Sequence, residues 1–368
     1  MSDNLQQQIQ EAIDDLVESG DERGLQVAVY HGGELVVDAV AGVADPETGR
    51  PVASDTPFFS YSIGKGVAAT AVHALAERGV LDYDTRIVEL WPEFGAHGKE
   101  TATVRHALSQ SVGVPGLPPG LTVEDLTDWD KMCAIIADEE PWWEPGTRIG
   151  YHAITFGYVV GEILRRATGK TIPQVLREEV SEPLGVADEL FFAVPTSEQG
   201  RMARLEDAAG NEEMFGELPE DSPILKLGPD LTAEHANRAE VRGANILAGG
   251  TVTARAVARM YAALLGEVDG VRLVSPGRLR EVSAVAMSGQ DQIFGFPTAW
   301  GLGYSIGQLP SNAHETQHVF GVGGIGGSHA YADTKTGTTF ALTKNLLKPD
   351  FGTTERIAGI VTETVARA

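Results

Sequence analysis

Ser62-Ile63-Gly64-Lys65 sets a hydroxyl and an amine three residues apart. If Ser62 opens a helix, Lys65 lies one turn on, on the same face, and its amine reaches the hydroxyl. The positive end of a helix favours a developing alkoxide and disfavours a charged ammonium. A desolvated, neutral lysine can then take the serine proton, which makes the hydroxyl a nucleophile for acyl transfer. The pattern by itself is common, since 16 serines and 8 lysines in 368 residues give about 0.3 such pairs by chance. Its surroundings are more specific: a polar-to-apolar transition falls at Ser62, and VAATAVHALAERG behind it is a strong helix former. The plain alternative is an N-capping serine beside a solvated lysine.

Two further features fit that chemistry. Tyr151 follows a Pro-Gly turn and precedes the helical stretch of YHAITFGYVVGEILRRATGK. Beside a lysine its pKa would fall and it would relay protons; otherwise it is a packing tyrosine. Glycines 321, 323, 324, 326 and 327 would leave a strand edge bare, so that a substrate lies against backbone. One N–H there, with that of Ser62, would form an oxyanion hole, and one such donor is typically worth about 10²–10³ in rate.

A rival motif overlaps the glycine run. His314-Glu315-x-x-His318-x-x-Gly321 spells the helix that puts two histidines on zinc. Asn312 and Glu315 resemble a capping box, and Gly321 a helix end. Such a helix would span barely two turns, with Val319 and Phe320 as its only large apolar residues. A catalytic zinc needs three protein ligands, and the place of a third histidine is taken by Gly324. The flanks read as strand–turn–strand, so His314 and His318 are expected in a turn and no metal is expected.

Composition narrows the function class. The net charge is −24, from 52 acidic and 28 basic residues, which argues against binding a phosphate backbone. No apolar run approaches the roughly 20 residues of a membrane span. MSDNLQQQIQEAIDDL lacks the basic start and apolar stretch of a signal peptide, so a cytoplasmic protein is expected. The lone Cys133 excludes an internal disulfide and is expected to be buried structure.

The elements that must position Ser62, Lys65 and Tyr151 are legible in outline. Residues 4–18 carry Leu5, Ile9, Ile13 and Leu16 at helical spacing and stop at Gly20. GLQVAVY and ELVVDAVAGV are strands joined by His31-Gly32-Gly33. Helix is expected from Gly64 to Arg78, over 253–266 and over 352–366. HAYAD and TTFALTKN read as strands flanking the turn Thr334–Gly337. Residues 80–240 hold short helical stretches broken by Pro and Gly. Hairpins imply an antiparallel sheet, and helices gathered on it make an α+β layer. The expected layout is a discontinuous α/β sheet domain, 1–80 with 240–368, and a mostly helical domain, 81–239. The site falls in the groove between them.

With these motifs in order, the chain resembles the serine β-lactamase-like superfamily, and in particular its class C β-lactamase-like carboxylesterases, called family VIII. The resemblance runs through Ser62-Ile63-Gly64-Lys65, VRHALSQSVGVPG (104–116), EPGTRIGYHAITFGYVVGEILRRATGK (144–170), ANILAGGTVTARAVARMYAALLG (244–266), WGLGY (300–304) and FGVGGIGGSHAYAD (320–333). It implies the β-lactamase/penicillin-binding-protein-like fold, an antiparallel sheet flanked by N- and C-terminal helices with an inserted helical domain. It implies that Ser62 is acylated, that Lys65 with Tyr151 is the base, and that the backbone N–H groups of Ser62 and Ile325 hold the oxyanion. Val322-Gly323-Gly324 would occupy the strand position of the family's Lys-Thr-Gly element. The loop after Gln110 would wall the acyl pocket, and Val322, Gly323, Gly324, His152 and Trp143 would meet substrate. Ser2-Asp3-Asn4 and Lys335-Thr336-Gly337 spell two further motifs of penicillin-recognising enzymes, but one lies on the terminus and the other in a hairpin turn.

The departures favour esters. Val322 stands where the family often has Lys, His or Trp, so no side chain there meets a substrate carboxylate. Tyr151-His152-Ala153 lacks the asparagine that lactamases use to hold an amide, and Gln110 replaces a common histidine. The expected function is a serine carboxylesterase acting on a small-molecule ester or acyl substrate, with no cofactor and no nucleic-acid or membrane partner. An acyltransferase or transesterase of natural-product biosynthesis is the nearest alternative, with a β-lactamase or D-alanyl-peptidase-like activity beside it. A non-catalytic binding protein and a zinc peptidase are remote ones.

Overall fold

The computed structural model describes residues 2–210, 218–247, 249–307 and 317–367. Helix α1, Ser2–Glu18, buries Leu5, Ile9, Ala12, Ile13 and Leu16, the stripe that a 3.6-residue period places on one face. In chain order the first strands are β1 Gly24–His31, β2 Glu34–Asp45, β3 Arg50–Pro51 and β4 Phe58–Phe59. Helix α2, Ile63–Glu77, follows β4. From the middle of the chain come β5 Leu190–Phe191, β6 Glu206–Asp207 and β7 Thr251–Val252. The last strands are β8 Met287–Gln290, β9 Pro297–Trp300, β10 Ser305–Ile306, β11 Val319–Gly323, β12 His329–Asp333, β13 Thr338–Lys344 and β14 Leu346–Leu347.

Among the described residues the main sheet runs β3-β2-β1-β13-β12-β11-β10-β9-β8, each neighbouring pair antiparallel. The two ends of the chain meet at its centre, where Val29 lies opposite Phe340. Side chains alternate across the sheet. Leu25, Val27 and Val29 join Phe340 and Leu342 in one apolar layer with α1 and the C-terminal helix Gly352–Ala366. Ala28, Tyr30, Ala330 and Ala341 face the opposite layer, which holds α2 and the Ala254–Leu265 helix. Cover on both faces explains why these strands read as continuous apolar runs.

The turn of the first hairpin is Gly32-Gly33, with φ of +59° and +87°; His31 belongs to β1 and pairs with Glu34. Thr334–Gly337 closes the second hairpin, with Asp333 accepting from the Lys335 N–H at 2.8 Å and the Thr336 hydroxyl at 2.9 Å. The middle of the chain supplies the Trp129–Asp138 and Thr155–Thr168 helices, as its periodicity suggests. It also supplies β5, which pairs with β7, and β6, which runs parallel to β14. Two-residue strands are too short to leave an alternation that local pattern could reveal. The architecture is thus an antiparallel sheet with helices on both faces, the layout that the resemblance implies.

Candidate active site

Ser62 sits at the joint between β4 and α2. Ser60 N–H donates to Gly250 O at 2.7 Å and Gly250 N–H to Tyr61 O at 3.0 Å, which ties the strand end to the 249–252 segment. Tyr61 then takes φ +46°, a left-handed turn costly for a tyrosine, and delivers Ser62 into the first helical turn. Ser62 stands at the N-cap with helical dihedrals and makes no side-chain cap bond, so its hydroxyl is not spent on the backbone. Close packing fixes the helix start. A Cβ on Gly64 would lie 2.4 Å from Gly250 N, and one on Gly66 2.4 Å from the Tyr261 hydroxyl.

Two donors converge on the Ser62 hydroxyl. Lys65 Nζ lies 3.0 Å from Oγ, and the Tyr151 hydroxyl donates to Oγ at 2.7 Å. Lys65 has no exposed surface; its amine also donates to Ala153 O at 2.7 Å and lies 4.8 Å from the centre of the Tyr151 ring. Burial pushes Lys65 down to about 7. Tyr151 moves opposite to the expectation of a lowered value. Burial raises it to about 12, against the pull of its Ser62 hydrogen bond, so its hydroxyl stays protonated. Desolvation disfavours an ammonium and a phenolate alike, which keeps Tyr151 protonated near pH 7 and leaves a large share of Lys65 neutral there.

Tyr151 is held from behind. Gln110 adopts φ +60°, accepts from the His152 N–H at 2.8 Å through Oε1, and accepts from the Gly150 N–H at 3.1 Å through its carbonyl. His152 donates from Nδ1 to Gly150 O at 2.7 Å and accepts from the Val114 N–H at 3.1 Å. Trp143 donates to Ser111 O at 3.1 Å and meets the His152 ring edge-on. His152 and Trp143 are buried, brace the tyrosine loop through these bonds, and do not line the cavity at Ser62. The loop after Gln110 is likewise absent from the wall of the cavity at Ser62.

That wall has two sides. One is the β8–β9 hairpin with Phe294, Phe296 and Trp300, where Phe294 lies 5.8 Å and Trp300 5.9 Å from the Tyr151 ring. Asp291 anchors the hairpin: it accepts from the Ile293 and Phe294 N–H groups and from the backbone of Tyr151. The other side holds Val322, Gly323, Ile325, Gly326, His329, Lys348 and Phe351. The hairpin and the 348–351 segment carry no motif signal of their own; the nearest motif is WGLGY at the end of β9.

The glycine run is a bare edge only beyond Gly321, where β10 no longer covers it and Val322, Gly323, Ile325 and Gly326 line the cavity. β11 pairs with β12 throughout and with β10 at Phe320 and Gly321. Its glycines also permit close approach: a Cβ on Gly321 would meet Ala330 O at 2.2 Å, and one on Gly324 would meet Ser60 O at 2.2 Å and Ser62 N at 3.4 Å. Gly324 thereby brings the Ile325 backbone beside Ser62. Among the described residues, no group accepts from the Ser62 or Ile325 N–H. Ile325 is 45% exposed and lines the cavity. Val322 is buried, with a methyl close to Gly66 of α2.

Of the His-Glu-x-x-His string, Asn312, His314 and Glu315 lie outside the described residues. His318 stands in a turn before β11 and pairs through Nδ1 with Asp333 at 2.7 Å.

A family model described as Beta-lactamase matches residues 9–362. The esterase/beta-lactamase LipL of Mycobacterium tuberculosis is 34% identical over 347 residues, 89% of this chain and 78% of that protein. A family VIII carboxylesterase structure superposes with a TM-score of 0.87 and 31% identity, covering 98% of this chain and 97% of its own. A penicillin-binding protein homologue from Caulobacter crescentus superposes with a TM-score of 0.82 and 31% identity over 97% and 96% of the two chains.

Proposed function

The chain belongs to the β-lactamase family, and from that premise we propose that it is a serine hydrolase that cleaves carboxylic esters through an acyl-enzyme on Ser62. The observation that carries this is the double contact at the Ser62 hydroxyl, from a buried Lys65 near its neutral form and from a protonated Tyr151. Neutral Lys65 takes the Ser62 proton as Oγ bonds to the ester carbonyl carbon. The Ser62 and Ile325 N–H groups hold the resulting oxyanion. The tetrahedral species collapses by breaking its bond to the alcohol oxygen. Tyr151 hands that oxygen a proton, and the one stored on Lys65 restores the phenol. Water then attacks the acyl carbon by the same route in reverse and releases the acid.

The walls support esters over charged β-lactams or peptides. Val322 offers no cation, the Lys348 amine of that wall lies 3.5 Å from the Glu22 carboxylate, Ala153 contributes only its carbonyl to Lys65, and the hairpin side is aromatic. Small-molecule esters with an apolar alcohol half suit such a wall. Ser62 and Lys65 fall within 1–80 and Tyr151 within 81–239, which supports the two-part layout with the site at its boundary.

The test is intact mass after a fluorophosphonate. One adduct is expected, absent from Ser62→Ala, with p-nitrophenyl acetate hydrolysis lost in the same variant. An adduct that persists in Ser62→Ala sinks the proposal. Adding short alcohols reads out acyl transfer, as new ester in place of acid.

A further inference from the structure

A buried charge cluster lies under the loop that carries Ile325, and the mechanism above makes no use of it. Gly324–Ser328 is a tight turn closed by Gly324 N–H to Ser328 O at 2.8 Å and Gly327 N–H to Gly324 O at 3.1 Å. Three neighbours grip it. Lys348 N–H donates to Gly326 O at 3.3 Å, the Thr354 hydroxyl to Gly327 O at 2.6 Å, and Lys344 N–H to the Ser328 hydroxyl at 3.2 Å. The Lys344 side chain runs beneath Gly327, where a Cβ would sit 3.4 Å from Nζ.

These grips share one anchor. The Glu22 carboxylate, with no exposed surface, accepts from Lys344 Nζ at 2.6 Å and from the Thr353 hydroxyl at 2.5 Å, and Lys348 Nζ lies 3.5 Å away. Glu22 belongs to the link between α1 and β1, and its N–H donates to Leu16 O at 2.9 Å. One carboxylate thus joins the end of α1, the end of β13, the 348 segment and the start of the C-terminal helix. A buried ion pair is a poor way to add stability, because its desolvation cost offsets its attraction and an apolar pair of similar volume often does better. What such a cluster supplies is a fixed geometry.

We propose that Glu22 is a positioning residue for the oxyanion loop: through Lys344, Lys348 and Thr353 it fixes the turn that presents the Ile325 N–H to the reacting carbonyl. This rests on the acyl-enzyme reading of the site. Glu22 touches no substrate; it acts through the loop.

The test pairs Glu22→Gln with Glu162→Gln. Glu162 is equally buried and held by Arg165 and Arg166 in the helical region, so it reports the cost of a lost buried charge alone. Glu22→Gln is expected to lower kcat/KM for p-nitrophenyl acetate by about 10–100-fold, the scale set by ångström-level misplacement. Inhibition by phenylboronic acid, whose serine adduct occupies the oxyanion position, should weaken by the same factor. Binding of an unreactive ether of the substrate's shape should hold, and Glu162→Gln should move none of these. If Glu22→Gln does not fold, Thr354→Val removes one grip without stranding a charge, and the same parallel loss is expected on a smaller scale. A folded Glu22→Gln, or failing that Thr354→Val, with unaltered boronate inhibition and kcat/KM overturns the proposal. A wild-type protein that takes neither fluorophosphonate nor boronate refutes the acyl-enzyme reading instead.

Discussion

An amine with no exposed surface gives up its proton readily, and burial alone holds Lys65 near 7. If neutral Lys65 is the base, activity follows its deprotonated form. The expected kcat/KM profile rises from pH 5 to 9 with a midpoint near 7, and a flat profile across that range contradicts the role. The same burial has an opposite effect on stability. Between about 7 and the ordinary 10.5, the unfolded chain carries a proton on this lysine that the folded chain does not. The unfolded state binds more protons there, so this residue's contribution to stability rises with pH through that window and is at its worst near and below 7. Lys65→Met is therefore expected to abolish turnover yet melt at a higher temperature than the parent at pH 7. A lower melting temperature would show that the contacts of Lys65 outweigh its desolvation.

At the scale of elements, the site depends on backbones that approach too closely for side chains. Gly324 presses on the strand end before Ser62, and a methyl there would sit 2.2 Å from Ser60 O. Gly324→Ala must push the loop outward and carry the Ile325 N–H with it. The expected loss is at least about 10²-fold in kcat, with boronate affinity falling in step. Melting curves should show a cost of about 1–3 kcal/mol from overpacking. Unchanged kinetics would mean that the loop reaches the oxyanion by another arrangement. The tyrosine loop shows a second way of fixing a residue. Gln110 occupies a left-handed position and spends its side-chain oxygen on the His152 backbone, so Tyr151 is held by polar braces from one flank and by Asp291 of the hairpin from the other.

At the scale of the molecule, the ends of the chain are structural centre, not periphery. α1 and the Gly352–Ala366 helix bury Leu5, Ile9, Ile357 and Val361 in one layer over the middle of the sheet. Thr353 and Thr354 of the latter helix also reach Glu22 and the oxyanion loop. Removing residues 352–368 is expected to abolish cooperative melting and yield a chain rapidly cut by protease, since it uncovers a continuous apolar face. A truncated protein with a parental melting temperature would contradict that. The cavity is assembled from widely separated stretches: Ser62, Tyr151, the 291–300 hairpin, the 322–326 turn and the 348–351 segment.

Local pattern was enough for some of this. Helical spacing in α1, the Gly32-Gly33 turn and the Ser62-x-x-Lys65 step are each decided within a few residues, by periodicity, by positive φ and by the rise of one helical turn. Tyr151 was legible too, as a residue set between a turn and a helix. Its ionisation was not, because the sign of its pKa shift depends on how much water the fold removes around it. His152 and Trp143 show a related limit: sequence gives a side chain's polarity, and only the tertiary structure says which partner consumes it. The glycine run was visible as a run without bulk, but the need for it comes from Ser60 O, more than 260 residues earlier in the chain. Nothing in the local sequence marks Glu22, Lys344 and Lys348 as partners. The burial of Glu22 and Lys344 under one loop, with Lys348 half-buried beside them, is a property of the sheet, which brings the first strand and the last long one side by side.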